Sequence, residues 1–289
     1  EKATLAFLLA LTFKSLFLFF LIRLGIKPVA FIQISLSIVV FILTFFLPNR
    51  PSIEEIKIRN KTLSWFTLSL VVVLFVLSMV NAWFFPITES DAIWYHIRGM
   101  SFYNEVKFDS ALVVPQLQQY PPFIPLLFVY LIAFKVGFLK VFFPLLYLSL
   151  NIIFYSRVLY LTKNKNLACL FTMILATTPY FWWHGILPFL DLTTAVFYSI
   201  GILYWYFWIQ SEIENSTLNQ KNSYSLVSGI LLGLAAWTRI EFLLYDLVPV
   251  FLTILTFSRH RDKTKSLKSL GSFLSAILIF PSIWFLTLL

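Results

Sequence analysis

Charged residues and cysteine are both scarce in this chain of 289 residues. Only 12% of the residues are Asp, Glu, Lys or Arg, against about a quarter in soluble globular domains, which excludes an ordinary soluble domain. The single cysteine, Cys169, excludes a disulfide framework and a multi-cysteine metal site, and its apolar neighbours predict an inert, packed thiol. With 8 Gly and 13 Pro, the composition also excludes a collagen-like chain.

Apolar residues are abundant instead, and they come in long runs. They make up 60% of the chain, with 33 Phe, and the mean hydropathy is +0.85. Runs of this kind exclude disorder and predict a polytopic integral membrane protein. The net charge of +9 lies largely in short connections between apolar runs, where Lys and Arg set orientation and meet anionic lipid. We therefore expect contact with membrane lipids and no binding of nucleic acid.

The apolar runs predict an all-α fold with about nine membrane spans, because a helix needs about 20 residues to cross the hydrocarbon core. Seven windows qualify directly: 3–22, 28–47, 63–84, 138–160, 166–183, 188–209 and 269–289. Residues 224–257 would form a single helix of about 50 Å, which is too long, so we predict a break at Trp237–Glu241 and two spans. Residues 122–134 are apolar but short, and we predict a half-buried helix there.

The two ends of the chain also bear on its organisation. It begins at Glu1 rather than Met and ends at Leu289 within an apolar run, from which we expect an N-terminal piece of a longer protein. Residues 3–22 do not read as a signal peptide, because Lys14 interrupts the apolar core and no small-residue cleavage site follows.

The distribution of Lys and Arg predicts the orientation of the spans. With residues 48–62 on the cytoplasmic side, the cytoplasmic loops hold thirteen Lys or Arg and the outer side holds seven. This orientation puts a group of polar residues on the outer side: Glu89, Asp91, His96, His184, Asp191 and Glu241. A plasma (inner) membrane protein with a site facing away from the cytoplasm is therefore predicted.

Residues 85–121 form the longest polar connection, and loops of this length usually carry function or structure of their own. Ile93, Ile97 and Met100 recur with helical spacing, which predicts an amphipathic helix lying in the membrane interface. Asp91 falls in its first turn. Ser90 or Asp91 is a candidate to cap this helix and complement its dipole, and Asp91 is a candidate general base on an acceptor hydroxyl; the two roles are compatible in one residue.

Four segments occur in a characteristic order along the chain: Ser90–His96 after a span, Tyr120–Leu127, Leu187–Asp191 leading into a span, and Ser228–Glu241. In this order they resemble GT-C glycosyltransferases, the polyprenyl-phosphate-sugar-dependent membrane enzymes related to protein O-mannosyltransferases and lipid A aminoarabinose transferases (glycosyltransferase family 39-like). The resemblance covers residues 63–257.

The resemblance implies an inverting enzyme that moves a sugar from a polyprenyl-phosphate donor to a lipid, glycan or protein acceptor. Residues 63–289 would form the catalytic module, preceded in 1–62 by two extra spans and a cytoplasmic loop. The family often has an adjacent acidic pair in the first outer loop, whereas Ser90 here separates Glu89 from Asp91, so either carboxylate fits the catalytic role. The absence of a Gly-rich phosphate loop agrees with a donor that is not a nucleotide.

The other site residues are assigned in the same way. Arg239 and His184 are expected to bind the donor phosphate. Acceptor or substrate binding is expected from Asp191, His96, Tyr120 and Glu241. No cofactor is certain, but Asp91 and Asp191 are the candidates to share a divalent cation, Mg²⁺ or Mn²⁺.

Three of these residues also have a purely structural interpretation. Asp191 begins a helix and complements its dipole. His184 belongs to an aromatic belt at the membrane surface. Arg239 forms an ion pair with Asp246, seven residues on and therefore on the same face of a continuous helix.

Two other functional classes remain open. A lipid-linked-sugar flippase or small-solute transporter would also have many spans and intramembrane charges, but we find no internal repeat, and the polar groups cluster at one face. A non-catalytic membrane partner of an envelope enzyme would tolerate substitution of Asp91.

Overall fold

The computed structural model describes residues 1–30, 32–34, 61–108, 120–213, 218–258 and 263–288. Helix accounts for 84% of these residues and none of them lies in a strand, which confirms the predicted all-α class. The chain divides into two compact units: residues 1–118 with 122–192, and residues 119–121 with 193–289.

We number the described helices in chain order. They are α1 (Lys2–Arg23), α2 (Lys61–Phe84), α3 (Ser90–Glu105), α4 (Phe123–Ala133), α5 (Phe142–Thr162), α6 (Lys165–Thr177), α7 (Pro179–His184), α8 (Leu190–Ile213), α9 (Leu218–Thr238), α10 (Phe242–Ser258) and α11 (Lys263–Leu288). The division between the two units falls within α8, between Leu192 and Thr193.

Five of the described helices are long and apolar enough to cross a membrane: α1, α2, α5, α8 and the part of α11 from Leu267 to Phe285. Each coincides with a predicted window, so a multi-pass membrane protein is supported. The predicted count of nine spans stays a prediction, and most of window 28–47 lies outside the described residues. Helix α4 has 11 residues and is about 17 Å long, which is too short to span the bilayer, as predicted for 122–134. It is more buried than predicted, because nine of its 11 residues are buried within the protein.

Two helix breaks decide how the later apolar runs are divided. The predicted break at Trp237–Glu241 is confirmed, because α9 ends at Thr238 and α10 begins at Phe242. The single predicted helix over 166–183 is wrong, because α6 ends at Thr177 and α7 begins at Pro179. Thr178 between them is extended, with ψ 114°, as the residue before a proline prefers to be.

In the first unit, α2, α5 and α6 pack together, and the loop helix α3 packs on α4. The contact between α3 and α4 is close at Gly99, where an added Cβ would lie 2.7 Å from the Cβ of Phe128. Phe102 on α3 and Phe123 on α4 are fully buried. Helix α3 is therefore fixed to the helical body through one face.

In the second unit, α9 and α11 approach each other through two glycines. A Cβ at Gly229 would lie 2.6 Å from the backbone oxygen of Phe273, and one at Gly233 would lie 2.6 Å from that of Ile277. This Gly-x-x-x-Gly spacing is the pattern that lets membrane helices pack backbone to backbone. The glycines of the segment Ser228–Glu241 thus have a packing role.

The same unit has a buried ion pair between the ends of α8 and α9. Glu212 is 1% exposed, and one of its carboxylate oxygens lies 3.0 Å from Lys221 Nζ. The other oxygen accepts hydrogen bonds from Ser269 Oγ at 2.9 Å and Trp208 Nε1 at 3.3 Å. Glu212 therefore joins α8, α9 and α11.

We expect Gly233→Val to destabilise the second unit strongly. The added side chain meets backbone atoms of α11, which do not have the rotamer freedom of a side chain, so a cost of about 2–3 kcal/mol is expected. The midpoint of thermal unfolding of the purified protein in detergent measures this loss of stability. Gly271→Ala on α11 is the control: nothing lies within 4 Å of its Cβ, so the midpoint should stay unchanged or rise. Equal midpoints for the two variants would contradict the close packing of α9 on α11.

Candidate functional site

One end of the first unit gathers several charged residues. Helix α2 ends at Phe84 and α3 begins soon after, at Ser90. Lys140, just before α5, donates to Asn81 Oδ1 at 2.6 Å and to the carbonyl of Pro86 at 3.4 Å. The start of α5 is therefore tied to the end of α2, close to the start of α3.

Asp91 lies in the first turn of α3, and its side chain is exposed. The N-cap residue of this helix is Glu89, and it forms no side-chain cap hydrogen bond. The prediction that Ser90 or Asp91 is the cap is therefore wrong, although a carboxylate in the first turn still interacts favourably with the helix dipole. Asp91 presents an accessible carboxylate.

Glu89 has a more local set of partners. Its two carboxylate oxygens accept hydrogen bonds from the backbone N–H of Thr88 at 3.2 Å and from Thr88 Oγ1 at 3.1 Å. It also attracts the ammonium of Lys140: burial lowers the pKa of Lys140, and the charge of Glu89 partly opposes that shift. Of the two acidic candidates, Asp91 is the more available to a substrate.

The two faces of α3 have different surroundings. Ala92, Tyr95 and Phe102 are buried against the protein, whereas Ile93 is 38% and Met100 is 41% exposed. The predicted apolar stripe is thus the outward face of the helix. Its location in a membrane interface stays a prediction.

His96 and Arg98 lie on the inward parts of the same helix. The ring of His96 packs edge-on against Phe128 of α4 at 5.3 Å, and burial lowers its pKa. Arg98, which the sequence analysis did not select, is 1% exposed with its guanidinium 5.2 Å from the ring of Phe102. Burial lowers its pKa to about 10, an effect that Tyr95 opposes. In the sequence, only the spacing of three and four residues from Tyr95 and Phe102 indicated that Arg98 shares a helix face with these aromatic residues.

His184 ends α7 and faces inward. It is 6% exposed and packs between Tyr180 and Phe189, with ring centroids at 4.3 and 5.8 Å. Its Nδ1 has no hydrogen-bond partner among the described residues. By contrast, Tyr180 is 70% and Trp183 is 54% exposed, as expected of aromatic belt residues. The belt interpretation therefore fits these two residues better than His184.

Asp191 lies in the first turn of α8 and acts electrostatically on His184. Burial lowers the pKa of His184, and the negative charge of Asp191 raises it in part. The structure therefore brings these two predicted site residues within electrostatic range of each other. The dipole interpretation of Asp191 also holds, because a first-turn carboxylate complements its helix.

Arg239 and Glu241 lie in the second unit at the break between α9 and α10. Arg239 Nε is 3.9 Å from Glu241 Oε2, and the two side chains are 40% and 52% exposed. Asp246 is instead 2% exposed, and neither carboxylate oxygen has a hydrogen-bond partner in the described part of the chain. The predicted Arg239–Asp246 ion pair is wrong. Tyr120, in the same unit, is exposed.

A metal site is not apparent in the described ranges, which contain no group of three or more His, Cys, Asp or Glu side chains able to hold an ion. The shared divalent cation of Asp91 and Asp191 stays a prediction. Both residues offer oxygen ligands, which suit Mg²⁺ or Mn²⁺.

Comparisons with known proteins do not assign a family. No protein-family model, no curated protein and no solved structure matches this chain. The resemblance to GT-C enzymes therefore rests on the sequence segments alone.

Proposed function

We propose that the chain is an integral membrane glycosyltransferase of GT-C type, transferring one sugar from a polyprenyl-phosphate donor to a lipid, glycan or protein acceptor, with inversion. The observation that carries the proposal is the exposed carboxylate of Asp91 in the first turn of α3, directly after a membrane-length helix. The buried imidazole of His184, in the same unit and under the influence of Asp191, adds support.

Asp91 is the proposed general base. Its carboxylate takes the proton of the acceptor hydroxyl while that oxygen bonds to the anomeric carbon of the sugar. The bond from the anomeric carbon to the phosphate oxygen breaks, and the phosphate leaves with the electron pair. Attack opposite the leaving phosphate inverts the anomeric configuration.

Two residues are the proposed ligands of the donor phosphate. His184 is favoured in the neutral form by burial, and a neutral imidazole still donates one N–H to a phosphate oxygen. Arg239, partly exposed at a helix break, offers a planar fork of donors that matches phosphate geometry. Its pairing with Glu241 is loose enough to yield to the phosphate, which carries one negative charge in the donor and gains a second as it leaves.

The remaining roles follow the sequence prediction. Acceptor or substrate binding is proposed for Asp191, His96, Tyr120 and Glu241. A divalent cation held by Asp91 and Asp191 would neutralise charge on the leaving phosphate. We place the protein in the plasma membrane with Asp91 on the extracytoplasmic side, because the thirteen to seven distribution of Lys and Arg favours that orientation.

Sugar transfer by membranes that contain the full-length protein tests the proposal. Radiolabelled polyprenyl-phosphate sugars are supplied, and label in lipid, glycan and protein fractions is compared with membranes that lack the protein. We expect transfer from at least one donor, and loss of transfer in EDTA if the cation is required. No transfer from any donor, together with protein-dependent movement of the intact donor between leaflets, would replace the proposal by the transporter interpretation.

A further inference from the structure

The first unit contains a cavity of about 610 Å³ between α2, α5 and α6. Lys61 and Lys165, the first residues of α2 and α6, line one end of it. The lining continues along α2 as far as Val71, ten residues and therefore about 15 Å from Lys61. The cavity thus begins at the N-termini of α2 and α6 and runs alongside α2, which is a membrane-length helix.

The end of the cavity at Lys61 and Lys165 is electropositive. Both ammonium groups stand at helix N-termini, where the helix dipoles add positive potential. The side chain of Asn164 caps α6 by accepting from the N–H groups of Asn166 and Leu167 at 3.0 and 3.3 Å, which fixes this terminus. Among the described lining residues there is no Asp or Glu. An anionic group therefore suits this end.

The rest of the cavity has mainly apolar walls, which include Trp65, Leu68 and Ile152. Two buried polar atoms interrupt them: Asn151 Oδ1 and Thr172 Oγ1 have no hydrogen-bond partner among the described residues. Asn151 is 1% and Thr172 is 3% exposed, and Asn151 Nδ2 already donates to the carbonyl of Tyr147 at 2.9 Å. A matching occupant carries polar atoms at this depth, between a charged group and an apolar chain.

We propose that this cavity binds one anionic glycerophospholipid, with its phosphate between Lys61 and Lys165, its glycerol backbone beside Trp65 and an acyl chain from Leu68 to Val71. Its ester region lies at the depth of Thr172, whose hydroxyl donates to a carbonyl oxygen. Inorganic phosphate would leave the apolar walls unfilled, and a zwitterionic lipid would bring a cation towards two lysines. The charge distribution predicts this end to be cytoplasmic, the side where anionic lipids attract basic residues. The site is independent of the proposed sugar transfer.

Cys169 provides a native reporter, because it is the one cysteine of the chain and its side chain lines the cavity. It is packed as predicted, at 2% exposed, so its alkylation requires the reagent to enter the cavity. The full chain is purified in neutral detergent and delipidated, and the rate of Cys169 alkylation by N-ethylmaleimide is followed by mass spectrometry. We expect phosphatidylglycerol in mixed micelles to slow alkylation about fivefold or more. Phosphatidylcholine and inorganic phosphate alone should leave the rate unchanged. Native mass spectrometry counts bound lipid as a second measurement, and one phosphatidylglycerol per chain is expected.

Lysine variants distinguish lipid binding in the cavity from a general attraction of anionic lipid to a positively charged surface. Lys61→Gln and Lys165→Gln should each raise the phosphatidylglycerol concentration for half protection about fivefold. The control is Lys163→Gln, because Lys163 lies over the ring of Tyr160 at 4.1 Å and is not among the lining residues. The double variant Lys61→Arg with Lys165→Arg keeps both charges and should retain protection. Thermal midpoints confirm that each variant is folded.

Three results would overturn the proposal. Equal protection by phosphatidylcholine and phosphatidylglycerol would show an apolar site without charge selection. An equal effect of Lys163→Gln would show surface attraction only. If phosphatidylglycerol neither slows alkylation nor appears at one copy per chain in the native mass spectrum, the cavity is not a lipid site.

Discussion

Replacing Asp91 by Asn should reduce sugar transfer about 10²–10⁴-fold, the usual contribution of a general base. The amide keeps the size of the carboxylate but does not accept a proton from the acceptor hydroxyl. Because Asp91 is exposed and does not cap α3, the thermal midpoint should change little. The rate of transfer from the preferred donor, at matched amounts of protein, gives the measurement.

Glu89→Gln is the matched control for Asp91→Asn. Glu89 lies two residues earlier and is engaged with Thr88 and Lys140, so its loss should affect the local structure more than catalysis. We expect transfer by Glu89→Gln to stay within about tenfold of the wild type. Full activity of Asp91→Asn with loss of activity in Glu89→Gln would exchange the roles of the two carboxylates.

Glu212→Ala should destabilise the second unit by about 3–5 kcal/mol, because it leaves the ammonium of Lys221 buried without its partner. Lys221 is 7% exposed, and the same substitution also removes the acceptor of Ser269 and Trp208. Unfolding in detergent, followed by heat or by denaturant, measures the loss.

Two comparisons test whether the cost of Glu212→Ala comes from burial of the ion pair or from the loss of any ion pair. Glu241→Ala breaks the exposed pair with Arg239 and should cost less than about 1 kcal/mol. The double variant Glu212→Leu with Lys221→Met removes both buried charges and should recover much of the lost stability. A cost for Glu212→Ala no larger than that for Glu241→Ala would show that Glu212 is not a structural link between helices.

Helix type and most helix positions could be predicted from the sequence, because apolar length alone selects membrane-length helices. The break between α9 and α10 could also be predicted, since one helix over 224–257 is longer than a bilayer is thick. The end of α6 at Thr177 was missed, because a prediction from averaged hydrophobicity ignores Pro179, which the sequence shows and which favours a helix end just before it.

Tertiary packing explains the other differences. The Arg239–Asp246 pair assumed helical spacing across residues where the helix is in fact interrupted, and Arg239 lies beside Glu241 instead. For α3, the spacing of Ile93 and Met100 identified a helix but not which face packs on α4. Whether Arg98 is buried depends on which face of α3 packs on α4, so the sequence alone did not identify Arg98 as a buried residue.

The uncompensated carboxylate of Asp246 has a consequence for the biosynthesis of the second unit. Asp246 is the fifth residue of α10, and an Asp in an apolar helix raises the free energy of translocon-mediated insertion, by up to about 2.5–3.5 kcal/mol at the helix centre. Helix α10 has only 17 residues and contains Pro249. Its Thr253 accepts a hydrogen bond from Trp205 of α8 at 2.8 Å. We therefore expect α10 to insert poorly as an isolated segment, and contacts with helices earlier in the chain to contribute to its integration during translation.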